Sequence, residues 1–152
     1  MTAGFSSGIA SLDNYFHNNA SRDQRHRIAA VLVLRVANGN TVIGFYTLSS
    51  TSVQAAYIPQ TVRRKWGSYR EMPATLLGRL AVDTRFRGQR YGEALLANAL
   101  QRAALNEIAS VVVTVDALDE AARGFYEKYG FRPLLDHDLR LYLPMVDIPK
   151  LR

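Results

Sequence analysis

The stretch from Leu76 to Leu105, LLGRLAVDTRFRGQRYGEALLANALQRAAL, leaves this chain few folds to choose from. Leu76, Leu77, Leu80 and Val82 form an apolar run of strand length that ends at Asp83-Thr84. From Glu93 onward Leu95, Leu96, Ala99, Leu100 and Ala103 recur at helical spacing, with Glu93, Asn98, Gln101 and Arg102 on the other face. Between strand and helix lies a basic loop, Arg85 to Gly92, bearing two glycines. A loop of this kind joins unpaired N–H groups, the positive end of a helix dipole and fixed positive charge. Two readings stand at this point: a solvated basic turn before a surface helix, or a cradle for an oligo-anion such as a pyrophosphate.

The elements around this unit fix the fold class. Met1 to Gly8 reads as an extended or poorly ordered lead-in, being polar and glycine-rich. Ile9, Leu12, Tyr15 and Phe16 predict a first helix running to about Ser21 or beyond. Ile28 to Val36 and Thr41 to Ser49 predict two strands joined at Asn38-Gly39, a type I′ hairpin signal. Gly44 marks a bulge or a close backbone approach. Gln54 to Met72 is irregular, with a short helix opened by Pro59 through Val62 and Arg64. After the central helix come a strand at Ser110 to Val115 and a helix begun by Asp116 and ended by Gly130. Two further strands, Phe131 to Leu134 and Leu139 to Leu143, close the chain. A strand–helix–strand centre beside an antiparallel hairpin predicts an α/β domain with a central mixed β-sheet flanked by helices. At 152 residues a single domain, 1–152, is expected.

Composition excludes several chemistries. With no cysteine, there is neither a disulfide, a thiolate metal site nor a cysteine nucleophile. His17 and His26 sit among polar residues without a third ligand at suitable spacing, so no metal site is expected. No apolar run approaches the ~20 residues of a membrane span, and no signal-peptide core is evident, so a cytoplasmic protein without membrane attachment is expected. The net charge of +6 is concentrated: Arg63 to Arg90 holds eight basic residues against two acidic ones, which accounts for all of it. These are Arg63, Arg64, Lys65, Arg70, Arg79, Arg85, Arg87 and Arg90. Such a cluster attracts a polyanion, CoA or RNA, or else serves solubility. Trp66, beside these arginines, either stacks on a base or caps a core edge.

Two motifs carry a resemblance. Arg87-Gly88-Gln89-Arg90-Tyr91-Gly92 resembles the acyl-CoA-binding loop of the GNAT superfamily of N-acetyltransferases, with Arg90 where the family has its middle glycine. A helical φ is expected at Arg90, because only glycine takes positive φ freely. Ala122 to Pro133, ARGFYEKYGFRP, resembles the closing motif of the same family. Over almost the whole chain, LGRLAVD at Leu77 to Asp83, FYTLSS at Phe45 to Ser50, the helix from Gly8 to Phe16 and the Pro-then-basic insert resemble the GNAT toxins of bacterial toxin–antitoxin pairs. The resemblance implies acetyl-CoA as cofactor and the α-amino group of aminoacyl-tRNA as target, so that translation stalls. It also implies a ribbon-helix-helix antitoxin and a homodimer.

It assigns roles as well. Leu80, Ala81 and Val82 offer a strand edge to the pantetheine, with the Val82 N–H polarising the thioester carbonyl, and Arg87, Gly88, Gln89, Arg90, Tyr91 and Gly92 hold the phosphates. Tyr126 matches the motif tyrosine that protonates the departing thiolate, while Tyr129 is expected in the core. Arg63, Arg64, Lys65, Arg70, Arg79 and Arg85 are candidates for RNA contact. No carboxylate or histidine stands out as a general base. An N-acetyltransferase of a small amine or a protein N-terminus remains a second reading, and a non-catalytic nucleic-acid or antitoxin-binding module a third.

Overall fold

The computed structural model describes residues 4–148. In chain order the elements are α1 (Ala10–Asn18), α2 (Ala20–Arg25), β1 (Ala30–Arg35), β2 (Val42–Gln54), α3 (Gln60–Arg63), β3 (Glu71–Val82), α4 (Tyr91–Leu105), β4 (Val112–Asp116), α5 (Glu120–Lys128), β5 (Arg132–Pro133) and β6 (Arg140–Pro144). Short 3-10 turns cover Ala55–Tyr57, Arg64–Trp66 and Thr84–Phe86. The strands hydrogen-bond in the order β1-β2-β3-β4-β6-β5. β1–β2, β4–β6 and β5–β6 are antiparallel. Neighbours β3 and β4 are joined through α4, the crossover that parallel strands need. The sheet is mixed, as the order of elements predicts.

Chain contacts group the molecule into two compact units. The first holds the chain up to Ser49 together with Leu77–Ala99. Its core joins Phe5, Leu12, Tyr15 and Phe16 to Val42, Phe45 and Ala81. The Phe16 and Phe45 rings stack with centroids 4.6 Å apart, and Phe5 meets Phe45 edge-on at 5.7 Å. Of the two expectations for the lead-in, burial of Phe5 and Ser7 rules against poor order in residues 4–8; residues 1–3 lie outside the described residues. The first helix is two helices, because the chain turns at Asn19 (φ −121°, ψ −26°).

The β1–β2 hairpin is present, but Asn38 alone takes positive φ (62°), so the turn is not the I′ type. Gly44 makes the close approach and stands beside a bulge, in which Ile43 is the extra residue. The register slips between Leu34 and Arg35, whose partners are Gly44 and Val42. A Cβ on Gly44 would also lie 2.6 Å from the Ala81 carbonyl oxygen and 2.7 Å from Leu95 Cδ1. The part of α4 up to Ala99 is held in the same unit by the Tyr46 hydroxyl, which donates to Asn98 Oδ1 at 2.5 Å.

The second unit holds Ser50–Leu76 and the chain from Leu100 onward. Its core joins Val53, Ala55, Ile58, Met72, Ala74, Val112, Leu134 and Tyr142. Trp66 is half-buried against this cluster, so of its two readings the structure shows the core cap. Asp116 does not begin α5. It ends β4 and accepts from Arg140 Nε at 3.2 Å, whereas Asp119 caps the helix by accepting the Ala122 N–H at 2.9 Å. Gly130 follows α5 with φ +98°, a left-handed stop as expected.

Candidate active site

In the first unit β3 ends in Leu80, Ala81 and Val82, with Ala81 buried and its neighbours half-buried. The next residue, Asp83, turns the chain. Its carboxylate is 1% exposed and accepts the amide of Arg85 at 2.8 Å and that of Ser6 at 3.0 Å. Arg85 adds Nε at 2.9 Å and Nη2 at 3.1 Å. The Arg85 guanidinium, with the two amide donors, outweighs burial and holds the Asp83 carboxyl at about 2.

The loop beyond this anchor is exposed from Arg87 to Arg90. Gly88 takes φ +76°, and a Cβ built there meets nothing within 4 Å, so the space beside the loop is open. Arg90 takes φ 65°, correcting the expected helical value: the arginine adopts the backbone conformation that glycine reaches freely. The turn therefore keeps the shape of a glycine turn without the glycine. The Arg90 side chain is 85% exposed, with only a distant Glu93 carboxylate at 3.9 Å. α4 begins at Tyr91, whose ring meets Phe86 edge-on at 6.1 Å, and its first i→i+4 bond runs from Ala94 to the Arg90 carbonyl at 3.1 Å. Gly88 to Gly92 thus present a positively charged, open turn at a helix start, a donor set that fits a pyrophosphate. The Arg87 guanidinium instead donates to the Ser7 carbonyl at 2.6 Å.

In the second unit Tyr126 lies on α5, 8% exposed, with its ring edge-on to Phe125 at 5.2 Å and to Phe131 at 5.4 Å. Burial pushes its phenol well above the ordinary tyrosine value. Tyr129 is half-buried against Phe125. This unit also contains a cavity of about 210 Å³ lined by Thr51, Ser52, Tyr57, Glu71, Thr114, Asp116 and Arg140, among others. Ser52 Oγ donates to Glu71 Oε1 at 3.3 Å on its wall. Sequence reading missed this cavity, because its lining comes from separate elements and no motif spans it.

The candidate RNA contacts divide into two kinds. Arg79 stacks its guanidinium carbon 3.6 Å above the Tyr15 ring, whose hydroxyl donates to Asp23 at 2.9 Å. Arg85 is paired with Asp83, and Arg63 Nε donates to the Ile58 carbonyl at 2.9 Å. The side chains of Arg64, Lys65 and Arg70 are exposed and have no hydrogen-bond or ion-pair partner among the described residues. No cluster of metal-ligating side chains occurs among the described residues. No helix among them is long and apolar enough to cross a membrane.

Comparison with known proteins places these features in a family. A tRNA-acetylating toxin of Mycobacterium tuberculosis is 36% identical over 94% of this chain and 85% of its own length. The solved structure of AtaT complexed with acetyl-methionyl-tRNAfMet superposes with a TM-score of 0.89 at 29% identity, covering 97% of this chain and 89% of AtaT. A tyrosine-to-phenylalanine mutant of AtaT, bound to the C-terminus of the antitoxin AtaR and acetyl-CoA, superposes with a TM-score of 0.78 at 27% identity, over 95% of this chain and 85% of that one. Residues 28–133, from the approach to β1 through both motifs, match the acetyltransferase (GNAT) domain, and the chain belongs to that family.

Proposed function

We propose that this chain is an acetyl-CoA-dependent toxin that acetylates the α-amino group of aminoacyl-tRNA and thereby blocks translation, acting as a single domain in the cytoplasm. The observation that carries the reading is the likeness to AtaT in complex with acetyl-methionyl-tRNAfMet over 97% of the chain. The relative from M. tuberculosis supports the same reaction. A protein antitoxin is proposed by the same route, with a ribbon-helix-helix type as its expected form, and this chain itself is expected to be a homodimer.

Acetyl-CoA is a substrate here, supplying the acetyl group as a thioester. The amides and charge of Gly88 to Gly92 are assigned to its phosphates, and the strand edge Leu80–Val82 to its pantetheine, with the Val82 N–H as carbonyl donor. Tyr126 is assigned as the acid. Its buried phenol stays protonated at neutral pH and donates to the thiolate as that charge develops. A raised phenol pKa makes complete transfer uphill toward a thiolate whose parent thiol lies near 8.5, so the tyrosine must be reprotonated as the amine gives up its proton. The acceptor needs little help. An α-amine of pKa near 8 is about one-tenth free base at neutral pH.

Labelled acetyl-CoA incubated with the protein and a mixture of charged tRNAs tests the proposal. Acetylated aminoacyl ends are the expected product; free α-amines on every charged tRNA overturn it. One observation favours the second reading, acetylation of a small amine or a protein N-terminus: Arg63, Arg79 and Arg85 are engaged within the fold. Under that reading excess uncharged tRNA leaves the activity untouched.

A further inference from the structure

We propose that the segment Ser6–Gly8 is a working part of the acetyl-CoA site: a strap that fixes the Arg87 guanidinium and braces the phosphate loop from behind. The inference rests on the assignment of the Gly88–Gly92 loop to phosphate binding. Its basis is a set of contacts that tie the segment to the loop at both ends.

The Ser6 amide donates to Asp83 Oδ2 at 3.0 Å, and the Ser6 carbonyl accepts the Thr84 N–H at 2.9 Å. One residue on, the Ser7 carbonyl accepts Arg87 Nη2 at 2.6 Å. Ser7 is itself 3% exposed and is gripped from α1, where Asp13 Oδ1 accepts its amide at 2.8 Å and its hydroxyl at 2.7 Å. Asp83 takes four donors on its two oxygens, from Ser6 and Arg85, which matches its full accepting capacity. The turn at the base of the loop therefore has no freedom to rotate without breaking the strap.

Gly8 closes the device. It takes φ +85°, and a Cβ there would lie 3.1 Å from Arg87 Nη2 and 3.5 Å from Thr84 Cγ2. A side chain at this position displaces either the strap or the guanidinium. Arg87 thus acts as a positioning residue through its bond to Ser7. Its partner is a neutral carbonyl, so its positive charge is not cancelled and still contributes to the field at the loop. Preorganisation of this kind lowers the ordering cost of binding, so its loss falls on affinity for acetyl-CoA.

The test is calorimetric titration of acetyl-CoA into the wild type, Gly8→Ala, Asp13→Ala and Asp13→Asn, with thermal melts and initial-rate kinetics on each. Hydrogen exchange is followed at the amides of Gly88 to Tyr91. We expect Gly8→Ala and Asp13→Ala to weaken acetyl-CoA roughly three- to tenfold, with the loss on KM and not on kcat, and to quicken exchange in the loop. Asp13→Asn keeps an acceptor for Ser7 and is expected to recover most of the affinity. Equal affinity in all four proteins, or a loss in Asp13→Asn as large as in Asp13→Ala, overturns the strap. A wild type that binds no acetyl-CoA overturns instead the assignment of the loop, and the strap with it.

Discussion

The Arg85 guanidinium grips the buried carboxylate of Asp83 at two points, Nε to Oδ1 at 2.9 Å and Nη2 to Oδ2 at 3.1 Å. The pair joins the end of β3 to the loop that enters α4, so it fixes where the strand edge gives way to the phosphate turn. It also removes Arg85 from the residues free to meet RNA.

The pair makes acid stability a direct readout. Asp83 is held at about 2 in the folded protein, against an unfolded carboxyl near 3.8. A depressed carboxyl contributes stability that is fully present above the unfolded value and is lost as pH falls through the folded one. The difference corresponds to about 2 kcal/mol. Thermal melts of wild type and Asp83→Asn are expected to differ by several degrees above pH 4 and to converge toward pH 2. A gap that stays constant over that range would assign the loss to packing rather than charge.

Arg90 offers a second test. A non-glycine residue at φ 65° carries strain of about 1–2 kcal/mol, part of which glycine gives back through its looser unfolded state. Arg90→Gly is expected to gain about 0.5–1 kcal/mol of stability. Arg90→Ala keeps the strain and loses the charge, so comparing the two separates backbone from electrostatics. If Arg90→Gly alone binds acetyl-CoA as well as wild type, the side chain contributes nothing to the phosphates.

What the sequence made legible follows from where its signals are local. Leu12, Tyr15 and Phe16 on α1, or Leu95, Leu96 and Ala99 on α4, announce a buried face by spacing alone, and all six are buried. Gly130 announces a helix stop, because a left-handed residue is needed there. Asp116 and Asp119 are equally good caps by type. Only the pairing of Asp116 with Arg140 across β4 and β6 decides that the later one serves. Ser6 and Ser7 look like loose polar chain, since their partners Asp83 and Arg87 are distant in sequence. The conformation of Arg90 overrides residue preference: the loop's closure fixes φ, and the side chain follows.

RNA binding is expected to track freedom. Arg64, Lys65 and Arg70 have uncommitted side chains, so reversing their charge should weaken tRNA binding and flatten its salt dependence, by about one unit of slope for each phosphate no longer neutralised. Arg79→Ala removes a guanidinium stacked on Tyr15 and is expected to lower the melting temperature instead. Filter binding of tRNA across a salt series, with melts alongside, checks both. Unchanged slopes in the reversed triple variant would assign those charges to solubility.

The strongest test of the chemistry is Tyr126→Phe. Removing the hydroxyl leaves the ring against Phe125 and Phe131, whose centroids lie 5.2 and 5.4 Å away, so the fold should persist. Acetyl-CoA affinity should persist too, while transfer falls by roughly two to four powers of ten, the usual worth of a positioned acid. The pH profile adds a second criterion. Burial raises the phenol above its ordinary value, so the acid form is retained well past the point where the acceptor amine has lost its proton. Rate should therefore climb as the amine deprotonates and then hold level to about pH 10, the pKa of an unperturbed tyrosine, with no falling limb. Initial rates on a hydrolysis-resistant aminoacyl analogue give the profile. A drop in kcat between pH 8 and 10 would point to an acid other than this tyrosine, and full activity in Tyr126→Phe would point to none.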